Sequence, residues 1–193
     1  MGIVQKDVMS EPSQKFDVII AGGGLNGLAM AVALARPAVR VPLYVCVVDG
    51  ADPKTFSKPK FDGRASAITA SSRKMLEALG VWPMLAVYAQ PMREIVITDS
   101  RGEADRRPAL LHFGEQHAPG TPSAHMVENS YMYSALYNAV EGSAHVDVMA
   151  GHTIETYEFG KGSVTVGLAN GSKLSAELLI AADGRKSAAR TTA

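Results

Sequence analysis

Gly22, Gly24 and Gly27 stand in the spacing Gly-x-Gly-x-x-Gly, directly after the apolar run Val18-Ile19-Ile20-Ala21. Glycines so placed permit a tight turn and let backbone N–H groups approach a pyrophosphate. A helix beginning at the turn adds its unpaired donors and the positive end of its dipole. Asp49 follows Gly27 by 22 residues, at the end of the next apolar run. A carboxylate there can accept hydrogen bonds from the ribose of an adenosine. Gly22, Gly24, Leu25, Asn26, Gly27 and Asp49 are therefore the candidate residues of a dinucleotide site. The fingerprint by itself does not choose between FAD and NAD.

The elements needed to position these residues are legible. Phe16 to Ala21 predicts a strand, and Leu25 to Arg36, rich in Ala, Leu and Met, predicts a helix ended by Pro37. Residues 43 to 48 predict a second strand. Strand, glycine turn, helix and strand make a βαβ unit, and continuous apolar strands suit a parallel sheet covered on both faces. Beyond a polar loop at 52 to 63, a helix is expected over 70 to 79, begun near Ser71 or Ser72, with Met75, Leu76 and Leu79 buried. Strands are expected over 92 to 99 and 109 to 113, with charged turn residues 100 to 108 between them. Residues 114 to 124, holding Gly114, Pro119, Gly120 and Pro122, read as loop. A helix follows from Glu128 to Val140, capped by Asn129 or Ser130. Short strands then cover 145–149, 153–159, 163–168 and 178–182, with a turn at Asn170-Gly171.

Composition narrows the function. The 193 residues are 47% hydrophobic and 20% charged, as in an ordinary globular domain. Nineteen basic residues balance nineteen acidic ones, so no basic surplus favours a nucleic-acid partner. The single cysteine, Cys46, lies within an apolar strand and reads as a small buried hydrophobe. The histidines at 112, 117, 125, 145 and 152 lack metal-ligand spacing, and no Gly-x-Ser-x-Gly elbow occurs. Trp82, Pro83, Met75, Met84, Met92, Met126 and Met132 read as core packing. With no signal peptide and no apolar run of about 20 residues, a cytoplasmic protein is expected.

Two further segments narrow the cofactor. Phe61-Asp62-Gly63-Arg64-Ala65-Ser66-Ala67-Ile68 carries the pattern D-x-R-x-x-A, and Ala182-Asp183-Gly184-Arg185-Lys186-Ser187-Ala188-Ala189-Arg190 carries A-D-G-x-x-S-x-x-R. With the glycine turn before them, these segments resemble the FAD-dependent aromatic hydroxylases. The likeness is strongest to the branch that hydroxylates the quinone ring in ubiquinone biosynthesis, and it runs from about residue 16 to 192. It implies FAD as cofactor, NAD(P)H as co-substrate, and O2 as the source of the oxygen placed on an aromatic ring. It further implies Arg64 beside the flavin, Asp183 near the pyrophosphate or ribityl chain, and Asn129 touching the FAD. Because the cofactor carries such chemistry, no catalytic side chain is assigned. Taken singly, Arg64 reads as a solvated loop cation, Asp183-Gly184 as a turn pair, Asn129 as a helix cap, and Asp49 as a surface turn residue.

The expected architecture is α/β, a Rossmann-like FAD-binding module with the first part of an inserted substrate-binding sheet, C-terminally truncated. Residues 1–14 would be a flexible tail, 15–90 and 127–193 the incomplete FAD-binding domain, and 91–126 part of the substrate sheet. The family's later G-D-A-A-H-x-x-x-P segment does not occur in these 193 residues. The chain is accordingly expected to be inactive alone and, through uncovered apolar surface, to form a homodimer, swap domains or be poorly soluble. Its substrate would be a small aromatic molecule, an isoprenoid quinone precursor, met in peripheral contact with the inner membrane. An NAD-linked Rossmann dehydrogenase and a non-catalytic dinucleotide-fold remnant are the alternatives.

Overall fold

The computed structural model describes residues 14–36, 41, 43–51, 63–98, 109–114 and 122–192. The expected readings of the tail at 1–13, the loop at 52–62 and the turn at 100–108 lie outside these residues. The chain divides into two compact units, residues 1–57 with 136–193, and residues 58–135. This division groups 58–90 and 127–135 with residues 91–126.

The first unit is built on a parallel sheet in the order β13-β2-β3-β9, comprising Leu178–Ala181, Val18–Ala21, Val45–Asp49 and Val146–Ala150. Val18, Ile19, Ile20 and Ala21 pair in register with Val45, Cys46, Val47 and Val48. Successive side chains on these strands point to opposite faces, and both faces are covered. Helix α1, Leu25–Leu34, packs on β2 and β3 and buries Leu28, Ala31 and Val32. On the other side, Phe16, Ile19, Cys46 and Val48 share a core with Val164, Val166, Leu168, Leu174 and Ala176. The latter five belong to an antiparallel meander of β10 (Ile154–Gly160), β11 (Ser163–Leu168) and β12 (Lys173–Ala176). A short strand β1, Gln14–Lys15, extends the meander by pairing parallel with β12, so Gln14 is strand rather than tail. Strand β12 is an addition to the sequence reading: four residues are too short to show a period, and its pairing through the Asn170-Gly171 turn defines it. Cys46 is fully buried in this core, and burial pushes its thiol up to about 12, with the Asp147 carboxylate adding to the effect.

The second unit has a three-stranded antiparallel sheet, β4 (Ala65–Thr69), β8 (Ala124–Glu128) and β5 (Gln90–Met92), in that order. Beside it in sequence is a two-stranded ribbon, β6 (Ile95–Thr98) with β7 (Ala109–Phe113). Several expectations are corrected here. The strand expected over 92 to 99 is two elements, broken at Arg93-Glu94. The loop expected through 124 ends earlier, because Ala124 begins β8, where it pairs with Thr69 and Met92. Glu128 also belongs to β8, so the following helix starts at Asn129 and runs to Glu141. Helix α2, Ala70–Ala78, is capped by Thr69, whose hydroxyl accepts from Ser72 N at 3.3 Å. Leu76 is buried in it, but Met75 is 51% exposed and is not part of a buried stripe. Met84 and Pro83, in the one-turn helix α3 (Trp82–Leu85), are exposed as well, whereas Met132 is buried. Trp82 packs as expected, beneath the Arg73 guanidinium at 5.2 Å and edge-on to the His125 ring at 5.3 Å. Burial, with Arg73 adding to it, lowers the His125 imidazole below its ordinary range. The helix Asn129–Glu141, α4, has its first half in this unit and its second half in the other.

Candidate functional site

All four strands of the parallel sheet run in one direction, so their C-terminal ends meet along one edge. In open α/β sheets this edge is where ligands settle. A cavity of about 450 Å³ lies there, lined by residues that follow each strand in turn. Gly22 and Gly24 come after β2, Asp49 ends β3 and Gly50 follows it, His152 and Thr153 come after β9, and Ala182, Asp183 and Gly184 after β13. Ile154 and Tyr157 of β10 complete the wall.

The glycine turn is locked to its neighbours. Gly22 N donates to Val48 O at 2.8 Å, and Ala182 N donates to Ala21 O at 2.7 Å, extending the ladder past the strands. Gly22 has φ +106°, and a Cβ there would sit 2.5 Å from the Ala182 carbonyl oxygen. Gly27 lies in the first turn of α1, where a Cβ would collide with the Gly22 carbonyl. The close approach of helix to strand therefore depends on both glycines. Leu25 and Asn26 stand in that same first turn. No side chain caps the helix, which leaves its first N–H groups for a ligand.

Asp49 is held by backbone donors. Its Oδ2 accepts from Gly23 N at 2.5 Å and its Oδ1 from Ala51 N at 2.7 Å. Each oxygen keeps a further lone pair for a ribose hydroxyl. The carboxylate thus ties the glycine turn to the end of β3 and is more than a surface turn residue.

Asp183 closes the other side. Its Oδ2 accepts from Ala188 N at 2.8 Å and Ala189 N at 3.3 Å, at the start of the short helix α5, Ala188–Thr192. Its Oδ1 is buried without a hydrogen-bond partner. Burial alone would raise the carboxyl, but hydrogen bonds from the Ser187 hydroxyl and from backbone N–H groups outweigh it, holding the group below the ordinary carboxylate range. A buried acceptor without a donor costs free energy and suits a ligand that brings one. Tyr157 faces the same charge; burial first, and then the Asp183 carboxylate, raise its phenol.

These observations fit a dinucleotide. The capless helix start and glycine turn suit the pyrophosphate, Asp49 suits a ribose, and the orphaned Asp183 Oδ1 suits a hydroxyl or amide donor. Arg64 and Asn129 lie in the second unit, where they adjoin each other. Asn129 N donates to Arg64 O at 3.1 Å, and the Asn129 Oδ1 accepts from the Ser66 hydroxyl at 2.7 Å. The six residues of the glycine turn and Asp49, with Asp183, are thus gathered in one unit, and Arg64 with Asn129 in the other. The sequence reading missed His152, Thr153, Ile154 and Tyr157. The strand over 145–149 was legible, but nothing local showed that it pairs with β3 and so brings its following residues to the cavity.

Comparison with known proteins agrees with this geometry. Residues 15–193 match the family model described as FAD binding domain. The ubiquinone hydroxylase UbiL of Rhodospirillum rubrum is 32% identical over 92% of this chain and 39% of its own length. The 3-demethoxyubiquinol 3-hydroxylase of Escherichia coli is 30% identical over 94% of this chain and 44% of its own. This chain therefore spans about two fifths of the length of the curated relatives it matches. Among solved structures, p-nitrophenol 4-monooxygenase PnpA of Pseudomonas putida has a TM-score of 0.74 at 17% identity, over 93% of this chain and 44% of that one. The flavin-dependent monooxygenase PieE, solved with FAD and substrate, has a TM-score of 0.71 at 20% identity, over 94% and 32%. These structures establish the shared fold. With a family model covering nearly its whole length, the chain belongs to the FAD-binding domains of the FAD-dependent monooxygenases, related to the ubiquinone-biosynthesis hydroxylases.

Proposed function

We propose that this chain supplies the adenosine and pyrophosphate end of an FAD site in an NAD(P)H- and O2-dependent aromatic-ring hydroxylase whose substrate is a ubiquinone precursor. The observation that carries this reading is the convergence of three pieces distant in sequence on one cavity: the glycine turn, Asp49 and the partnerless Oδ1 of Asp183. The pyrophosphate would lie over Gly22, Gly24 and the first turn of α1, with Leu25, Asn26 and Gly27 shaping that turn. Asp49 would accept from the adenosine ribose, and Asp183 would receive a donor from the ribityl side. Arg64 and Asn129 would attend the flavin. Bound there, FAD would supply the redox chemistry, and the residues' work is to bind, orient and exclude water.

The substrate assignment rests on the relatives, two of which are named for ubiquinone or demethoxyubiquinol hydroxylation. Hydroxylation is assigned to the whole protein, with this chain expected to bind cofactor without turning over alone. Such a substrate is hydrophobic, which favours peripheral contact with a membrane. Among the described residues no helix is long and apolar enough to cross one.

Titration of the purified chain with FAD, followed by flavin fluorescence, tests the reading, with NAD as competitor. Saturable FAD binding that excess NAD does not displace is expected. Displacement by NAD at comparable concentration would assign the site to a nicotinamide cofactor instead.

A further inference from the structure

The order of the parallel strands sets the direction of a bound dinucleotide. In the proposed site the pyrophosphate would lie at β2 and α1, and the ribose at Asp49 on the neighbouring β3. The next strand in the sheet is β9. Continuing outward from the ribose, the base of a dinucleotide bound in this way would fall over the connection from β9 to β10, residues 150 to 153.

That connection is firmly held. His152 N donates to Asp49 O at 3.0 Å, and Gly151 N donates to Ala51 O at 2.9 Å. A Cβ on Gly50 would come within 3.2 Å of Thr153 Oγ1, so the two segments lie in close contact. Asp49, proposed to meet the ribose, thus anchors His152 through its backbone carbonyl.

The His152 ring is set by a hydrogen bond. Its Nδ1 lies 3.1 Å from the Ala150 carbonyl oxygen. A carbonyl oxygen only accepts, so Nδ1 carries the proton, and in the neutral ring Nε2 is left as an acceptor. His152 lines the cavity. An acceptor at that place suits the exocyclic amine of adenine and opposes the carbonyl that hypoxanthine carries in the same position.

We propose that His152 reads the base of the bound cofactor, its Nε2 accepting from the adenine amine so that the site prefers adenine to hypoxanthine dinucleotides. This rests on the FAD-site reading given above. The cost of the wrong base is one lost hydrogen bond and two facing acceptors, an effect of about tenfold in affinity.

The test is calorimetric titration of this chain with FAD and with its deaminated counterpart, in which hypoxanthine replaces adenine. The expected result is that FAD binds about tenfold more tightly than the deaminated form. The variant His152→Ala, its fold checked by circular dichroism, should bind both forms alike, with FAD weakened and the deaminated form little changed. Equal affinities in the unaltered chain would overturn the assignment whether or not the variant folds. An adenine preference that survives in a folded His152→Ala would also overturn it. In either case FAD binding itself would leave the cofactor site standing. Failure of both dinucleotides to bind would instead remove the FAD-site reading and the assignment with it.

Discussion

The ribbon of the second unit and the parallel sheet of the first are built from similar residues and hold them in opposite surroundings. Ile19, Ile20, Val45, Cys46 and Val47 are fully buried, between α1 on one face and the meander on the other. Val96, Ile97, Leu110, Leu111 and Phe113 of the ribbon are 43 to 59% exposed. Apolar composition alone therefore does not make a core. The sheet has a helix and a meander to cover it within its own unit, and its strands are tied together by the glycine turn and Asp49. The cavity lies at the C-terminal edge of that covered sheet, whose packing gives it fixed walls.

The largest effect that separates the two regions is expected from truncating one side chain in each. Ile20→Ala should cost about 3 kcal/mol by leaving a cavity in the covered sheet. Leu111→Ala, on the exposed ribbon, should fall within about 0.5 kcal/mol. Urea unfolding followed by far-ultraviolet circular dichroism compares them, and equal losses would erase the contrast.

A glycine in each region gives a smaller but more specific contrast. Gly27→Ala drives a methyl group into the Gly22 carbonyl, where backbone must move, and should cost about 2 kcal/mol while weakening FAD binding. Gly114→Ala meets, among the described residues, no atom nearer than His112 Nε2 at 3.5 Å and should be nearly neutral in both stability and binding.

Acid should act on the first unit through Asp183. Its carboxyl is depressed in the folded chain, so its contribution is fully present above the ordinary carboxylate pKa of about 4 and is lost as the pH falls through the lower folded value. The stability difference between the chain and Asp183→Asn should be constant above about pH 5 and narrow as the pH drops below about 4. A difference that widens on acidification would contradict the assignment. The least change is expected at Cys46. Its buried thiol, pushed up to about 12, should resist a thiol reagent at neutral pH until the chain is unfolded.

The same contrast explains what could be read in the sequence. Strands β2 and β3 and helix α1 were legible to within two residues at each end, because burial on both faces forces continuous apolar strands and close packing forces glycine at fixed places. Strand β8 was not legible, since the Gly and Pro residues before Ala124 signal loop, while its pairing with β4 and β5 is decided by residues over thirty positions away. Met75 and Met84 read as core because apolar type was taken for burial, and both lie on exposed faces of their helices while Leu76 and Trp82 beside them are buried. Asp49 and Asp183 were found through their motifs, but the hydrogen bonds that hold Asp49 and leave Asp183 Oδ1 without a partner needed the fold. His152 and Tyr157 carry no motif at all. Only the order of strands in the sheet brings them to the cavity.

Hydrogen exchange of the chain with and without FAD, read peptide by peptide, tests the central claim most directly. Slowed exchange on FAD binding is expected in the segments around 22–28, 49–51, 150–157 and 182–189, with the ribbon over 95–98 and 109–113 unchanged. Binding that leaves those four segments unchanged and protects the ribbon instead would contradict the placement of the cofactor site in the first unit.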